Sequence, residues 1–88
     1  MQVIKFSAPW CAPCKALSAE LTKYPHVHLM EIDIDENPDA KARWGLRSVP
    51  TLVALDTLTG DEIDRMIGFS SSKQLKDFIE DNTEVGTY

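Results

Sequence analysis

Both cysteines of this 88-residue chain lie in "SAPWCAPCKAL" (residues 7–17), three positions apart, as Cys11 and Cys14. Three chemistries use a thiol pair at that spacing: metal ligation, a stapling disulfide, and exchange with the disulfide of another molecule. Structural zinc takes four ligands, usually from two such pairs. Here only His26 and His28 supplement the one pair, and both are distant from it in sequence. Two chains could share an iron–sulfur cluster through four thiolates. A staple across so short a loop stabilises least on the chain-entropy account, and lasting disulfides are rare in reducing compartments. Exchange asks for one thiolate that attacks and a second thiol that resolves the mixed disulfide.

The surrounding elements must position such a pair. "QVIKFS" (2–7) is β-branched and aromatic and is predicted as a strand. "CAPCKALSAELTKY" (11–24) sets Cys14, Leu17, Leu21 and Tyr24 on one helical face. "PHVHLMEIDID" (25–35) is predicted as a second strand, with both histidines on it. "NPDAKARWG" (37–45) is predicted as a short helix, with Asn37 as N-cap, Pro38 at the first helical position and Gly45 as the stop. "TLVALD" (51–56), a turn at "TLTG" (57–60) and "DEIDRMIG" (61–68) read as a hairpin, and "SSKQLKDFIEDN" (71–82) as a serine-capped helix with Leu75, Phe78 and Ile79 facing inward. The tail "TEVGTY" is expected to fray. Strands one and two, joined through a helix, should be parallel with a right-handed crossover. The expectation is one α/β domain over residues 1–88, with a mixed four-stranded sheet in the order βαβ then ββα.

In this layout Cys11 stands where a strand hands over to a helix. Free N–H groups and the positive dipole end favour an anion there, here the Cys11 thiolate. Pro13 lacks an N–H and costs nothing in a first turn, leaving the Cys14 amide to point at the Cys11 sulfur. Cys14, one turn inward, is the shielded resolver and Cys11 the exposed attacker. Cβ atoms three apart on a helix lie ~5–6 Å from each other, so a disulfide between them needs only a small adjustment.

The formal charge is −5, with acids clustered in 31–39, 60–64 and 77–84 and no basic stripe. Nucleic acid and anionic membrane are therefore poor partners. No charged leader precedes an apolar stretch, and no apolar run reaches the ~20 residues that span a bilayer. A cytoplasmic monomer is expected.

The chain resembles the thioredoxin family in "WCAPCK" (10–15), "DENPDAKARWGLRSVPTL" (35–52) and "IGFSSSKQLKDFIE" (67–80). The resemblance implies that Pro50 is a cis-proline packed across from the cysteine pair, exposing the Val49 backbone so that a client segment pairs beside Cys11 as an added strand. It also implies that Gly68 leaves room for the client, and that Trp10, Val49 and Ile67 form an apolar contact surface around Cys11. Thioredoxins usually open with a further strand and helix; this chain starts directly at "VIKFSAPWC", the trimmed layout of glutaredoxins, which makes strand two an exposed sheet edge guarded by His28, Glu31 and Asp33. Two extra residues before Gly60 suggest a longer hairpin turn.

One departure concerns charge. Thioredoxins place a buried aspartate six residues before the first cysteine, and that position is Lys5 here; the family's lysine on the neighbouring strand falls at Glu31. A central parallel strand is normally apolar on both faces, so Lys5 needs a reason. Lys5 and Glu31 are expected to pair beneath the active site and manage the Cys14 proton, with Glu31, neutral Lys5 or a water as base. Otherwise Lys5 simply snorkels to solvent. The function implied is a protein disulfide reductase without a bound cofactor, the dithiol itself carrying two electrons, with thioredoxin reductase or an equivalent donor and disulfide-containing proteins as partners. The alternatives are a glutathione-dependent glutaredoxin-type enzyme and a non-catalytic scaffold. "IGFSSSKQ" (67–74) has one glycine and no acid, where glutaredoxins usually show a paired glycine and an acid.

Overall fold

The computed structural model describes residues 2–83. The elements follow the order β1 (Gln2–Ser7), α1 (Ala12–Leu21), β2 (His28–Asp33), α2 (Ala40–Trp44), β3 (Thr51–Leu55), β4 (Glu62–Ile67) and α3 (Ser72–Thr83). One mixed sheet runs β2-β1-β3-β4. β1 pairs parallel with β2 and antiparallel with β3, and β3 pairs antiparallel with β4. This is the mixed four-stranded sheet that the element pattern predicts.

β1 is flanked on both edges and buried on both faces, and its alternation sorts two cores. Ile4 and Phe6 point to α2 and pack with Ala40, Leu46 and Val53, the Phe6 and Trp44 ring centroids lying 5.4 Å apart. Val3 points the other way, into Leu17 and Leu21 of α1, Leu52 of β3, and Leu75, Phe78 and Ile79 of α3. Lys5 shares the Val3 face and is 1% exposed; it does not snorkel. α3 starts on a capping pair: the Gln74 N–H donates to Ser71 Oγ at 3.1 Å, while Gln74 Oε1 accepts from the Ser70 N–H at 2.7 Å.

Several boundaries differ from the sequence expectation. α1 stops at Leu21, and Tyr24 packs against the core from the turn beyond it. β2 begins at His28, so His26 lies off the strand, its ring edge-on to Tyr24. Asn37 is not the cap of α2. Its Nδ2 donates to the Asp33 carbonyl at 3.0 Å, which commits the side chain to the preceding turn. The Ala40 N–H bonds the Asn37 carbonyl, Pro38 stands outside the helix, and Asp39 precedes it without a side-chain cap bond. Gly45 does end α2, in the left-handed conformation at φ +62°. In the long hairpin turn Asp56 Oδ1 accepts from the N–H groups of Leu58 and Thr59, at 2.8 and 3.2 Å. Of the tail expected to fray, Thr83 closes α3, and residues 84–88 lie outside the described residues.

Leu17 is fully buried between α1 and the sheet, whereas Leu58 on the hairpin turn is almost fully exposed. Leu17→Ala is expected to cost about 2–5 kcal/mol through lost burial and a residual cavity, and Leu58→Ala less than about 0.5 kcal/mol. Urea unfolding checks both as shifts of midpoint at constant slope.

Candidate active site

β1 ends at Ser7, and the chain turns through Pro9 and Trp10 into α1. The Cys11 N–H closes this turn on the Ala8 carbonyl at 3.1 Å. Cys11 is the N-cap of α1, with extended backbone, and its sulfur accepts the Cys14 N–H at 3.2 Å. A sulfur thus takes the role usually filled by a hydroxyl or carboxylate oxygen. Pro13, in the first turn, contributes no N–H to compete. A thiolate at Cys11 receives the same bond plus the favourable field of the helix end, the two effects that lower a thiol pKa.

Cys11 and Cys14 are joined as a disulfide, with Cα atoms 5.2 Å apart. Cys14 is shielded as predicted, but Cys11 is not the exposed member. The two are 3% and 4% exposed, and both pack with Ala8, Ile34 and Val49. The reason lies in a segment 38 residues on: the Val49 carbonyl oxygen sits 3.6 Å from Cys11 Sγ and covers it.

The Val49–Pro50 peptide bond is cis. The Gly68 N–H donates to the Pro50 carbonyl at 2.8 Å, which fastens the end of β4 to this loop. Gly68 adopts φ +78°, and a Cβ built there meets nothing within 4 Å; conformation, not crowding, calls for glycine. Around the pair Trp10 is 68% exposed, Ile67 is also exposed and Val49 is partly covered. Trp10 Nε1 donates to Asp35 Oδ2 at 3.1 Å, which holds an otherwise free indole. Trp10 and Pro13 flank the pair along the chain, Val49 touches Cys11, and Pro50, Ile67 and Gly68 are joined to Val49 through the loop and the paired ends of β3 and β4.

Behind the pair, on the α1 side, an open cleft of about 450 Å³ brings together Lys5, Ser7, Cys14, Ser18 and Glu31. Lys5 and Glu31 are register partners across β1 and β2, with Lys5 Nζ 3.2 Å from Glu31 Oε2. The pair is lopsided: the Lys5 side chain is buried and that of Glu31 is 56% exposed. Ser7 Oγ donates to the same carboxylate oxygen at 2.8 Å. Lys5 Nζ also donates to Ser18 Oγ, and Ser18 Oγ donates to the Cys14 carbonyl at 3.1 Å. The sequence reading found Lys5 and Glu31 but passed over Ser7, Ser18 and Asp35. Spacing held the signal for two of them: Ser7 is two along the strand from Lys5, and Ser18 is one helical turn from Cys14. Among the described residues no group of three or more His, Cys, Asp or Glu side chains is disposed to hold a metal ion.

The Ser7 hydroxyl holds the Glu31 carboxyl below its ordinary value of 4.5, helped by the hydrogen bond and charge of Lys5 and opposed by partial burial. A lowered carboxyl stabilises the fold fully above its unfolded value, and loses that contribution as pH falls through the lower folded value. Ser7→Ala is expected to bring the Glu31 midpoint back toward 4.5. It should also move the onset of acid unfolding to higher pH. A carboxyl-resolved NMR titration of both proteins reads the first effect, and circular dichroism against pH reads the second. Equal Glu31 midpoints would remove Ser7 as the leading cause.

Residues 1–81 match the thioredoxin family model. Thioredoxin of Staphylococcus saprophyticus subsp. saprophyticus is 29% identical over 85 residues, covering 91% of this chain and 80% of the relative; that of Staphylococcus aureus is 28% identical over the same span. Among solved structures, a point mutant of thioredoxin from Halobacterium salinarum NRC-1 superposes with a TM-score of 0.77 at 33% identity, over 93% of this chain and 74% of the other. Oxidised mitochondrial thioredoxin 3 from Saccharomyces cerevisiae gives 0.75 at 36% identity, over 91% and 76%. With a matching fold, a cysteine pair at the start of α1 and a family match across nearly its whole length, the chain belongs to the thioredoxin family and is a thiol-disulfide oxidoreductase of the protein disulfide reductase type.

Proposed function

We propose that Cys11 is the attacking thiol and Cys14 the resolving thiol in the reduction of disulfides in client proteins. The reading rests on one observation above all: the Cys11 sulfur caps α1 and accepts the Cys14 N–H. In the reduced protein that bond favours the Cys11 thiolate, the nucleophile in exchange. The thiolate attacks one client sulfur, forming a Cys11–client disulfide and expelling the other client sulfur as a thiolate. Cys14, as its thiolate, then attacks Cys11 Sγ. The Cys11–Cys14 bond forms, the client leaves with both sulfurs reduced, and the protein has given up two electrons and two protons. Opening the Cys11–Cys14 bond with an electron donor restores the dithiol. The two sulfurs carry both electrons, so no bound cofactor enters the cycle.

The client docks on the face where Trp10, Val49 and Ile67 meet, with an extended segment along the Val49 backbone and Gly68 giving it room. Pro13 and Pro50 shape this face without offering N–H groups of their own. Thioredoxin reductase is the proposed donor, in the cytoplasm, where a dithiol is kept reduced.

NADPH oxidation with insulin as client, coupled in one assay to thioredoxin reductase and in another to glutathione and its reductase, tests donor and activity together. Turnover is expected with thioredoxin reductase. Turnover with glutathione alone would make the protein a glutaredoxin-type enzyme, and silence in both would favour a scaffold. Cys11→Ser is expected to abolish insulin reduction, and Cys14→Ser to trap a mixed disulfide with the client that gel electrophoresis without reductant detects. Activity surviving Cys11→Ser would overturn the assignment of the nucleophile.

A further inference from the structure

We infer that Lys5 is a positioning residue for the resolving step: its buried ammonium favours the Cys14 thiolate from beneath α1, and Glu31 holds the ammonium in place. This rests on the reading of Cys14 as the resolving thiol. Four observations carry it.

The first is the burial of Lys5, 1% exposed in the central strand, where an uncompensated charge is costly. The second is the direction of the side chain. It leaves the sheet on the α1 side and ends between Glu31 Oε2, 3.2 Å away, and Ser18 Oγ. Ser18 in turn donates to the Cys14 carbonyl, so the ammonium is linked to the residue that bears the resolving sulfur. The third is that Lys5 and Cys14 line the same open cleft, which gives a departing Cys14 proton a route to solvent. The fourth is the exposure of Glu31. Water weakens the field of its carboxylate more than that of the enclosed ammonium.

The titratable groups that line the cleft with Cys14 are Lys5 from β1, Lys15 from α1, Glu31 and Asp33 from β2, and Glu36 from the turn that follows, and Cys11 is its disulfide partner. Of the two cations, Lys5 alone is enclosed; Lys15 is an exposed position. In the resolving step the Cys14 proton goes to solvent in the cleft and the Cys14 thiolate attacks Cys11 Sγ. The Cys11–Cys14 bond forms while the Cys11–client bond breaks, and the client thiolate takes a proton from solvent.

Lys5→Met alone would leave the Glu31 carboxylate without its cation and mix two effects, so the comparison is made in a Glu31→Gln background, where the side-chain amide oxygen still offers Lys5 Nζ and Ser7 Oγ an acceptor. E31Q, K5M/E31Q and K5Q/E31Q are reduced, and the Cβ resonances of both cysteines are followed against pH by NMR. Met suits the apolar surround and Gln keeps a donor for Ser18, so the two double variants guard against a fold failure in either. Exchange of a buried ion pair for uncharged groups is commonly tolerated.

The Cys14 midpoint is expected to rise by about one pH unit from E31Q to either double variant. Above that midpoint, equilibration with glutathione should show the dithiol about tenfold easier to oxidise, about 30 mV more negative in potential. A Cys14 midpoint that is unchanged or lower in the double variants overturns the inference. That readout uses no client and no donor: if Cys11→Ser still reduces insulin, the functional reading falls while the titration result stands. A purely structural Lys5 would alter the urea midpoint and leave the thiol midpoint where it was.

Discussion

The pairing of β1 on both of its edges is the constraint on which the rest of the structure depends. β2 lies parallel on one side and β3 antiparallel on the other, so every residue from Val3 to Ser7 is enclosed. Alternation then leaves no freedom: Ile4 and Phe6 must serve the α2 core, and Val3 and Lys5 the α1 and α3 core. A slip of one residue would turn Lys5 into the Phe6–Trp44 cluster, where no carboxylate waits. The Ile34 N–H extends the pairing by bonding the Ser7 carbonyl at 3.0 Å. That bond fixes the point from which the chain enters the turn to Cys11. Register in the sheet therefore sets the position of the sulfur.

The two cysteines receive different treatment from the same helix. Cys11 stands before the first turn, where backbone N–H groups are in surplus, and its sulfur takes one of them. Cys14 lies inside that turn, facing the sheet, and its own N–H is the one donated. Its carbonyl accepts the hydroxyl of Ser18. One hydrogen bond thus distinguishes the two thiols, since the bond that favours charge on Cys11 does nothing of the kind for Cys14. Outside the helix, the enclosed charge on the side of the cleft that Cys14 lines belongs to Lys5.

The order of elements, the parallel and antiparallel pairings and the inward faces of α1 and α3 were legible in the sequence because they depend on local periodicity. Leu17, Leu21, Leu75, Phe78 and Ile79 all take the buried positions their spacing assigns. The burial of Cys11 was not legible, because its cover is the Val49 carbonyl, brought in from another part of the chain. The start of α2 was misplaced because Asn37 has two uses for one side chain. A cap and a bond to the Asp33 carbonyl compete, and the turn after β2 wins. Lys5 stood out as an anomaly, but its two serine neighbours did not, since serine is unremarkable on either element until the lysine between them is seen to be buried.

A buried ion pair is weak grounds for stability, because desolvation offsets much of the Coulomb attraction and apolar residues of similar volume often serve a core as well. Lys5 shares its strand face with Val3 and lies opposite Leu52 in the register with β3, in a sheet whose other buried positions are mostly aliphatic. Its partner is half in water, which weakens the attraction further. The pair is therefore hard to explain as a device for holding the sheet together. Departures from local rules that lack a stability return concentrate at sites of function. This one is linked by two hydrogen bonds, through the Ser18 hydroxyl, to the carbonyl of the residue whose sulfur must lose a proton in every cycle. A fixed charge has to be dry to act strongly, its counter-ion has to be wet to leave that action intact, and the sheet edge at β2 supplies both conditions by enclosing Lys5 and exposing Glu31.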